Sequence, residues 1–190
     1  MRDTQRIEKD GNHIVMVWWI PFVYWQQTFN DSDKLTPEAK KQALDLLSAY
    51  NIVAVADVDL DALGALHGKS EADIAAHSNL ARNGQPVGRL EDADLSDGMK
   101  NMMAIVRPIL GNALGAFGKA MYLQVYPGVA APGDPAWERT SGRLVYGLFD
   151  HTYKWKLPLP CTLPPKHNSV TGDVFPGDYM FDPYTGDPLK

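Results

Sequence analysis

The sequence predicts an α+β fold. A single domain carries a mixed β-sheet with one βαβ crossover, helices packed on it, and a proline-rich C-terminal extension with a ribbon-like hairpin. Three observations lead there. Ile14–Phe22 and Ile52–Val58 are apolar runs dense in β-branched and aromatic residues, the pattern of strands buried on both faces. Between them Thr36-Pro37-Glu38 reads as a helix start: a capping hydroxyl, a proline at the first helical position, and an acid at the positive end of the dipole. Seven of the 14 prolines fall in the last 33 residues, which separates a core at 1–160 from an appendage at 161–190. With 190 residues, 45% of them hydrophobic and 22% charged, the chain has the composition of an ordinary globular domain.

The elements follow in order. Ala39, Ala43, Leu46, Leu47 and Tyr50 continue the first helix at helical spacing. Strand, helix and strand over about 45 residues suit a crossover between two parallel strands. Two short helices are expected next, one capped by Asp59 or Asp61 and ending near Gly68, the other opened by Ser70 with Asp73 as a capping box. Asn83-Gly84 marks a turn, and Gln85–Leu90 a short edge strand. Ser96 caps the longest helix, whose apolar stripe runs from Met99 to Phe117. Pro108 should kink it, and Gly111, Gly115 and Gly118 thin its end for close packing, or the helix stops near Gly111. Ala120–Tyr126 and Gly142–Asp150 read as strands joined by a loop over Pro127–Ser141, and Tyr153–Leu157 alternates as a half-exposed strand. The tail is expected to dock on the core through Phe175, Tyr179, Phe181 and Tyr184.

The net charge of −5 is unevenly spread: −6 over residues 57–97 and +4 over residues 98–160. An acidic chain argues against a general nucleic-acid binder. One cysteine excludes a disulfide framework within the chain. The N-terminus lacks the apolar segment of a secretory signal, and the Ile14–Trp25 run is too short for a bilayer. The expectation is a cytoplasmic protein with no membrane association.

Asp57, Asp59 and Asp61 form an alternating acidic strand end, where α/β sheets place magnesium ligands. The positions an EF-hand needs as Gly and Glu hold Ala62 and Gly68, so that loop is excluded. The competing reading is a set of aspartates that cap the next helix. His151 beside Asp150, at a hairpin tip, is the histidine of most interest. The five histidines show no close metal-binding spacing, and no nucleophile elbow, phosphate loop or dinucleotide fingerprint occurs. Trp19, Trp25 and Trp155 are candidate interface anchors. Lys154 and Lys156, interleaved with Tyr153 and Trp155, form a cationic strand that could stack single-stranded nucleic acid.

In the tail, Val170-Thr171-Gly172-Asp173 recurs as Tyr184-Thr185-Gly186-Asp187. With Asn168 and Asp182 ahead of them, each copy resembles the knuckle of a zinc ribbon. Asn168, Thr171, Asp182 and Thr185 stand at the four ligand positions, and Pro183 adds to the likeness. The resemblance covers about 23 residues and includes no cysteine. It implies a ribbon-like hairpin over Val174–Phe181, with a turn at Pro176-Gly177 and no zinc.

The sequence therefore points to a non-enzymatic protein–protein interaction protein: an assembly component, adaptor or immunity-type inhibitor. It needs no cofactor or metal, and its partner is another protein or a second copy of itself. The alternative is a small enzyme or ligand-binding domain with its site at Asp57, Asp59 and Asp61, aided by His67 or His151.

Overall fold

The computed structural model describes residues 2–33, 35–129 and 136–190; positions 130–135 of the expected loop lie outside them. The chain opens with β1 (Gln5–Asp10) and β2 (His13–Ile20), then forms α1 (Phe22–Asn30), α2 (Pro37–Ser48), β3 (Tyr50–Leu60) and β4 (Leu66–Gly68). A short α3 (Glu71–Ala76) precedes β5 (Ser78–Arg82) and β6 (Gln85–Val87). Helices α4 (Asp97–Ala113) and α5 (Gly115–Lys119) lead to β7 (Tyr122–Pro127), β8 (Gly142–Leu148) and β9 (His151–Leu157). Two-residue strands β10 (Lys166–His167) and β11 (Val174–Phe175) lie in the tail. Among the described residues no helix is long and apolar enough to cross a membrane.

The strands form two main sheets. The first runs β1-β2-β3, and the far edge of β3 is shared by β7 along its first half and β4 at its end. The second runs β6-β5-β8-β9. Every named pairing is antiparallel. β2 and β3 are neighbours as expected, but Ile20 stands opposite Ile52 and His13 opposite Asp59, so the expected parallel crossover is replaced by an antiparallel pair. The reason is a second helix. α1 and α2 touch one another, and together they carry the chain away and back to the end of the sheet where β2 stopped.

That second helix begins at Phe22, where the expected strand ends. Pro21, in extended conformation, takes the N-cap position of α1, where its fixed φ and missing N–H cost nothing. It has no side chain to cap with, so a distant residue does so: Glu138 Oε1 accepts the Val23 N–H at 2.8 Å. The local helix starts hold as read. Thr36 Oγ1 accepts from Ala39 N–H, Ser70 Oγ from Asp73 N–H and Ser96 Oγ from Met99 N–H. α4 continues through Pro108 to Ala113 instead of ending near Gly111. Gly118 lets α5 fold back closely on α4, because a Cβ there would run into the Leu110 carbonyl. The helix expected to end near Gly68 is instead a β3–β4 hairpin. Asp61 Oδ1 accepts the N–H groups of Leu63 and Ala65 at 2.9 and 2.8 Å, a side-chain turn that competes with a helical one.

The first sheet is covered on both faces. Val15, Val17, Trp19, Val53 and Val55 pack against Leu144, Tyr146, Tyr153 and Trp155 of the second sheet. Met16, Trp18, Ile20, Ile52, Ala54, Ala56 and Val58 pack beneath α1, α2 and α4, against Trp25, Leu47, Met99 and Met103. Each fully buried aliphatic side chain of this kind contributes about 1.5–3 kcal/mol. The second sheet is covered on one face only. β9 accordingly alternates, with Tyr153, Trp155 and Leu157 buried and Thr152, Lys154 and Lys156 exposed.

Glu138 is 1% exposed, and its Oε2 has no hydrogen-bond partner among the described residues. Burial pushes its carboxyl above the ordinary glutamate range. The folded chain therefore holds this proton more tightly than the unfolded chain. Its contribution to stability is complete below the ordinary glutamate value and declines as pH rises through the folded one. Urea unfolding of wild type and Glu138→Gln across this interval should show the difference between them shifting in favour of the variant as pH rises. A difference independent of pH would contradict this.

Candidate functional site

Asp57, Asp59 and Asp61 do not converge on one point. Asp57 is buried between the two sheets, and its Oδ1 lies 2.8 Å from His13 Nε2, at the half-exposed start of β2. Asp59 is exposed, opposite His13 in register. Asp61 belongs to the following turn, 2.9 Å from His67 Nε2. The His67 contact, with the turn N–H groups, holds Asp61 below the ordinary aspartate range. Among the described residues no group of three or more His, Cys, Asp or Glu side chains is placed to hold a metal.

Two histidine–carboxylate pairs form at the end of the inter-sheet space, His13–Asp57 and Glu8–His151. His151 Nδ1 lies 2.7 Å from Glu8 Oε2 on β1, with Asp150 3.4 Å from its other nitrogen. The Tyr153 hydroxyl donates to the same Glu8 oxygen at 3.3 Å. Burial first, then the charges of Glu8, Asp57 and Asp150, push the Tyr153 phenol upward and keep it protonated. Such pairs orient an imidazole. Among the described residues, though, neither His13 nor His151 has a serine, threonine or cysteine hydrogen-bonded to it. Cys161 is exposed on the tail, and burial of its thiol disfavours the thiolate. Glu8 and His13 were missed in sequence. Their signal was parity: the β1–β2 and β2–β3 registers put both on the face that Asp57 shares.

The tryptophans are core, not anchors. Trp19 is 0% exposed and donates to Asn51 Oδ1 at 3.1 Å. Trp155 is buried against it, ring centroids 6.0 Å apart, and donates to the Thr4 carbonyl. Trp25 is buried on the helix side. Coverage of both faces of the first sheet removes all three from any surface. Tyr153 and Trp155 likewise point inward, so the cationic strand offers no stacking platform to a nucleic acid. The acidic and basic stretches also interlock. β5 pairs with β8, and Glu71 lies 3.7 Å from Arg107, so they are not two opposed faces.

A groove of about 710 Å³ lies beside β7, floored by Leu90, Leu95, Met103, Leu123 and Val125. Four of its rim charges pair with one another, Arg89 with Glu91 and Arg107 with Glu71.

The tail contains a dense polar arrangement outside the core. Its two knuckles are built alike. Asn168 Oδ1 accepts the N–H groups of Val170 and Thr171, and Asp182 Oδ1 those of Tyr184 and Thr185. The Asn168 and Asp182 carbonyls accept from Gly172 and Gly186, whose φ of +79° and +80° favour glycine. The knuckles face each other: Asn168 Nδ2 donates to Asp182 Oδ2 at 2.6 Å, with Thr185 Oγ1 at 3.3 Å. Burial opposes ionisation of Asp182, and the bonds from Asn168, Tyr184 and Thr185 outweigh it, leaving its carboxyl below the ordinary range. A hydrogen-bonded amide–carboxylate pair thus occupies two of the positions where a zinc ribbon has ligands. β11 pairs with β10 rather than with Met180–Phe181, which replaces the hairpin expected over Val174–Phe181.

Phe175 is buried against Tyr179 and Tyr184 within the tail. The other three expected docking aromatics stay exposed, Tyr184 at 87%. The tail supplies its own small core and so does not need them against the sheet. Between positions 170 and 184 the exposed large apolar side chains are Val170, Val174, Tyr179, Met180, Phe181 and Tyr184. Comparison with protein-family models, curated proteins and solved structures finds no match to this chain.

Among the described residues, the hydrogen bonds of 166–190 close on the segment itself. Asn168→Ala removes the bond to Asp182 and the acceptor for two N–H groups, a local cost of about 1–3 kcal/mol. Limited proteolysis should cut within 166–190 faster, while the melting temperature of the core stays at the wild-type value. A matching fall in core stability would contradict this.

Proposed function

We propose that this chain is a non-enzymatic protein–protein interaction protein whose contact surface is the C-terminal ribbon. One observation carries the reading: a self-supporting segment displays six large apolar side chains to solvent between positions 170 and 184. Clustered exposed apolar residues of this kind mark interaction sites more often than isolated ones do. Tyrosine and phenylalanine supply contact area at low conformational cost. The ribbon's hydrogen bonds hold these side chains out, and the core does not need them.

A second reading, a small enzyme or ligand-binding domain at Asp57 with Asp59 and Asp61 nearby, is favoured by the His13–Asp57 pair. A buried carboxylate holding a half-exposed imidazole is an arrangement suited to proton transfer. Affinity purification from the native organism separates the two. The wild-type chain should retain a defined partner. Phe181→Ser with Tyr184→Ser should lose it at unchanged melting temperature, and His13→Ala should behave as wild type. Retention that ignores the ribbon variant but fails with His13→Ala would overturn the interaction reading.

A further inference from the structure

The solvent face of the second sheet is cationic and carries no carboxylate. Its outward positions include Arg143 on β8 and Lys154 and Lys156 on β9, all exposed. Between and beside them stand small or uncharged residues: Ala81, Val145, Gly147 and Thr152. Arg143 lies directly opposite Lys156 in register. Like charges facing each other across a strand pair destabilise it, and none of the three cations has an ion-pair partner among the described residues. The fold gains nothing from this repulsion. An anionic surface laid across the face would relieve it.

The ribbon has the complementary chemistry. Residues 161–190 carry a net charge of −2, with Asp173 and Asp178 exposed among Tyr179, Phe181 and Tyr184. Its Lys166 is turned onto the ribbon's own backbone, donating to the Tyr179 carbonyl at 2.9 Å. Carboxylates and aromatic ring faces both attract ammonium and guanidinium groups. Within one chain the two surfaces do not meet. No ion pair joins Asp173 or Asp178 to the three cations among the described residues, and Tyr184 remains 87% exposed. The inward aromatics of β9 also leave the cationic face without the stacking that single-stranded nucleic acid would use.

We propose that two copies of this chain associate reciprocally, the acidic and aromatic ribbon of each lying on the cationic outer face of the other's second sheet. This rests on the interaction reading above and names a second copy as the partner. Each ribbon follows β9, the strand that carries Lys154 and Lys156, after a short connection through Pro160–Thr162. A reciprocal exchange makes two equivalent contacts and closes as a two-fold dimer, so it does not propagate into a chain.

Sedimentation equilibrium of the full chain tests this with two charge reversals. One is Lys154→Glu with Lys156→Glu on the face, and the other is Asp173→Lys with Asp178→Lys on the ribbon. All four positions are exposed, and unchanged melting temperatures confirm that the variants fold. Wild type should be dimeric and should dissociate as salt rises. Each variant alone should dimerise about tenfold or more weakly. An equimolar mixture of the two should restore the dimer, because every reversed face then meets a reversed ribbon. Three results would overturn the proposal: a monomeric wild type, a dimer indifferent to both reversals, or a mixture that stays monomeric. Should the wild type be monomeric while affinity purification still retains a different protein through Phe181 and Tyr184, the reciprocal dimer fails and the interaction reading stands.

Discussion

Everything in this structure depends on the need to cover the first sheet twice. β2 and β3 are apolar at consecutive positions, so each sends one set of side chains to either side. Val15, Val17, Trp19, Val53 and Val55 require one cover, and Met16, Trp18, Ile20, Ile52, Ala54, Ala56 and Val58 another. The second sheet meets the first demand and the helical layer the second. Three of the indole N–H groups brought inside by this arrangement find acceptors: Thr4 Oγ1 for Trp18, Asn51 for Trp19 and the Thr4 carbonyl for Trp155. A buried donor left alone would cost about 1–3 kcal/mol, which gives the N-terminal segment and the polar Asn51 a structural role.

What could be read from the sequence was what is local. Thr36, Ser70 and Ser96 cap helices because hydroxyl and following amides lie within one turn. The Asn83-Gly84 turn joins β5 to β6 for the same kind of reason, and the alternation of β9 reports one dry face and one wet one. The paired tail turns were legible as a repeat because each needs an Asn or Asp, a Thr and a Gly at fixed offsets. The rest depends on distant contacts. Phe22–Trp25 has the composition of a strand and becomes helix because Glu138, over a hundred residues away, caps it. Strand direction turned on that helix. Whether Trp19 was covered could not be known without the second sheet, and the Asp57–His13 pair appears only once the β2–β3 register is set.

The same constraint sorts the candidate surfaces. The aromatic residues that stood out in the first strand are the ones the double cover removes, so they cannot meet a partner. The division of charge along the chain was likewise partly internal, because β5 and β8 interleave the acidic and basic stretches. What stays on the outside is narrower and more specific: an uncovered sheet face whose three cations have no ion-pair partner among the described residues, and a ribbon whose hydrogen bonds leave its rings and carboxylates facing water. The Glu8–His151 pair ties β1 to the β8–β9 hairpin, and the His13–Asp57 pair ties β2 to β3, at one end of the inter-sheet space. That gives both pairs a clear structural role.

The central claim is that both faces of the first sheet are covered and no tryptophan is left for a partner. Acrylamide quenching of tryptophan fluorescence, native against urea-unfolded, tests it most directly. All five indoles lie between 0% and 6% exposed, so quenching of the folded chain should be uniformly weak, and the native emission should be blue-shifted and rise to full accessibility only on unfolding. A readily quenched fraction in the folded chain would contradict the account, since it would mean that one face of the sheet is open and that the surfaces assigned to recognition are the wrong ones.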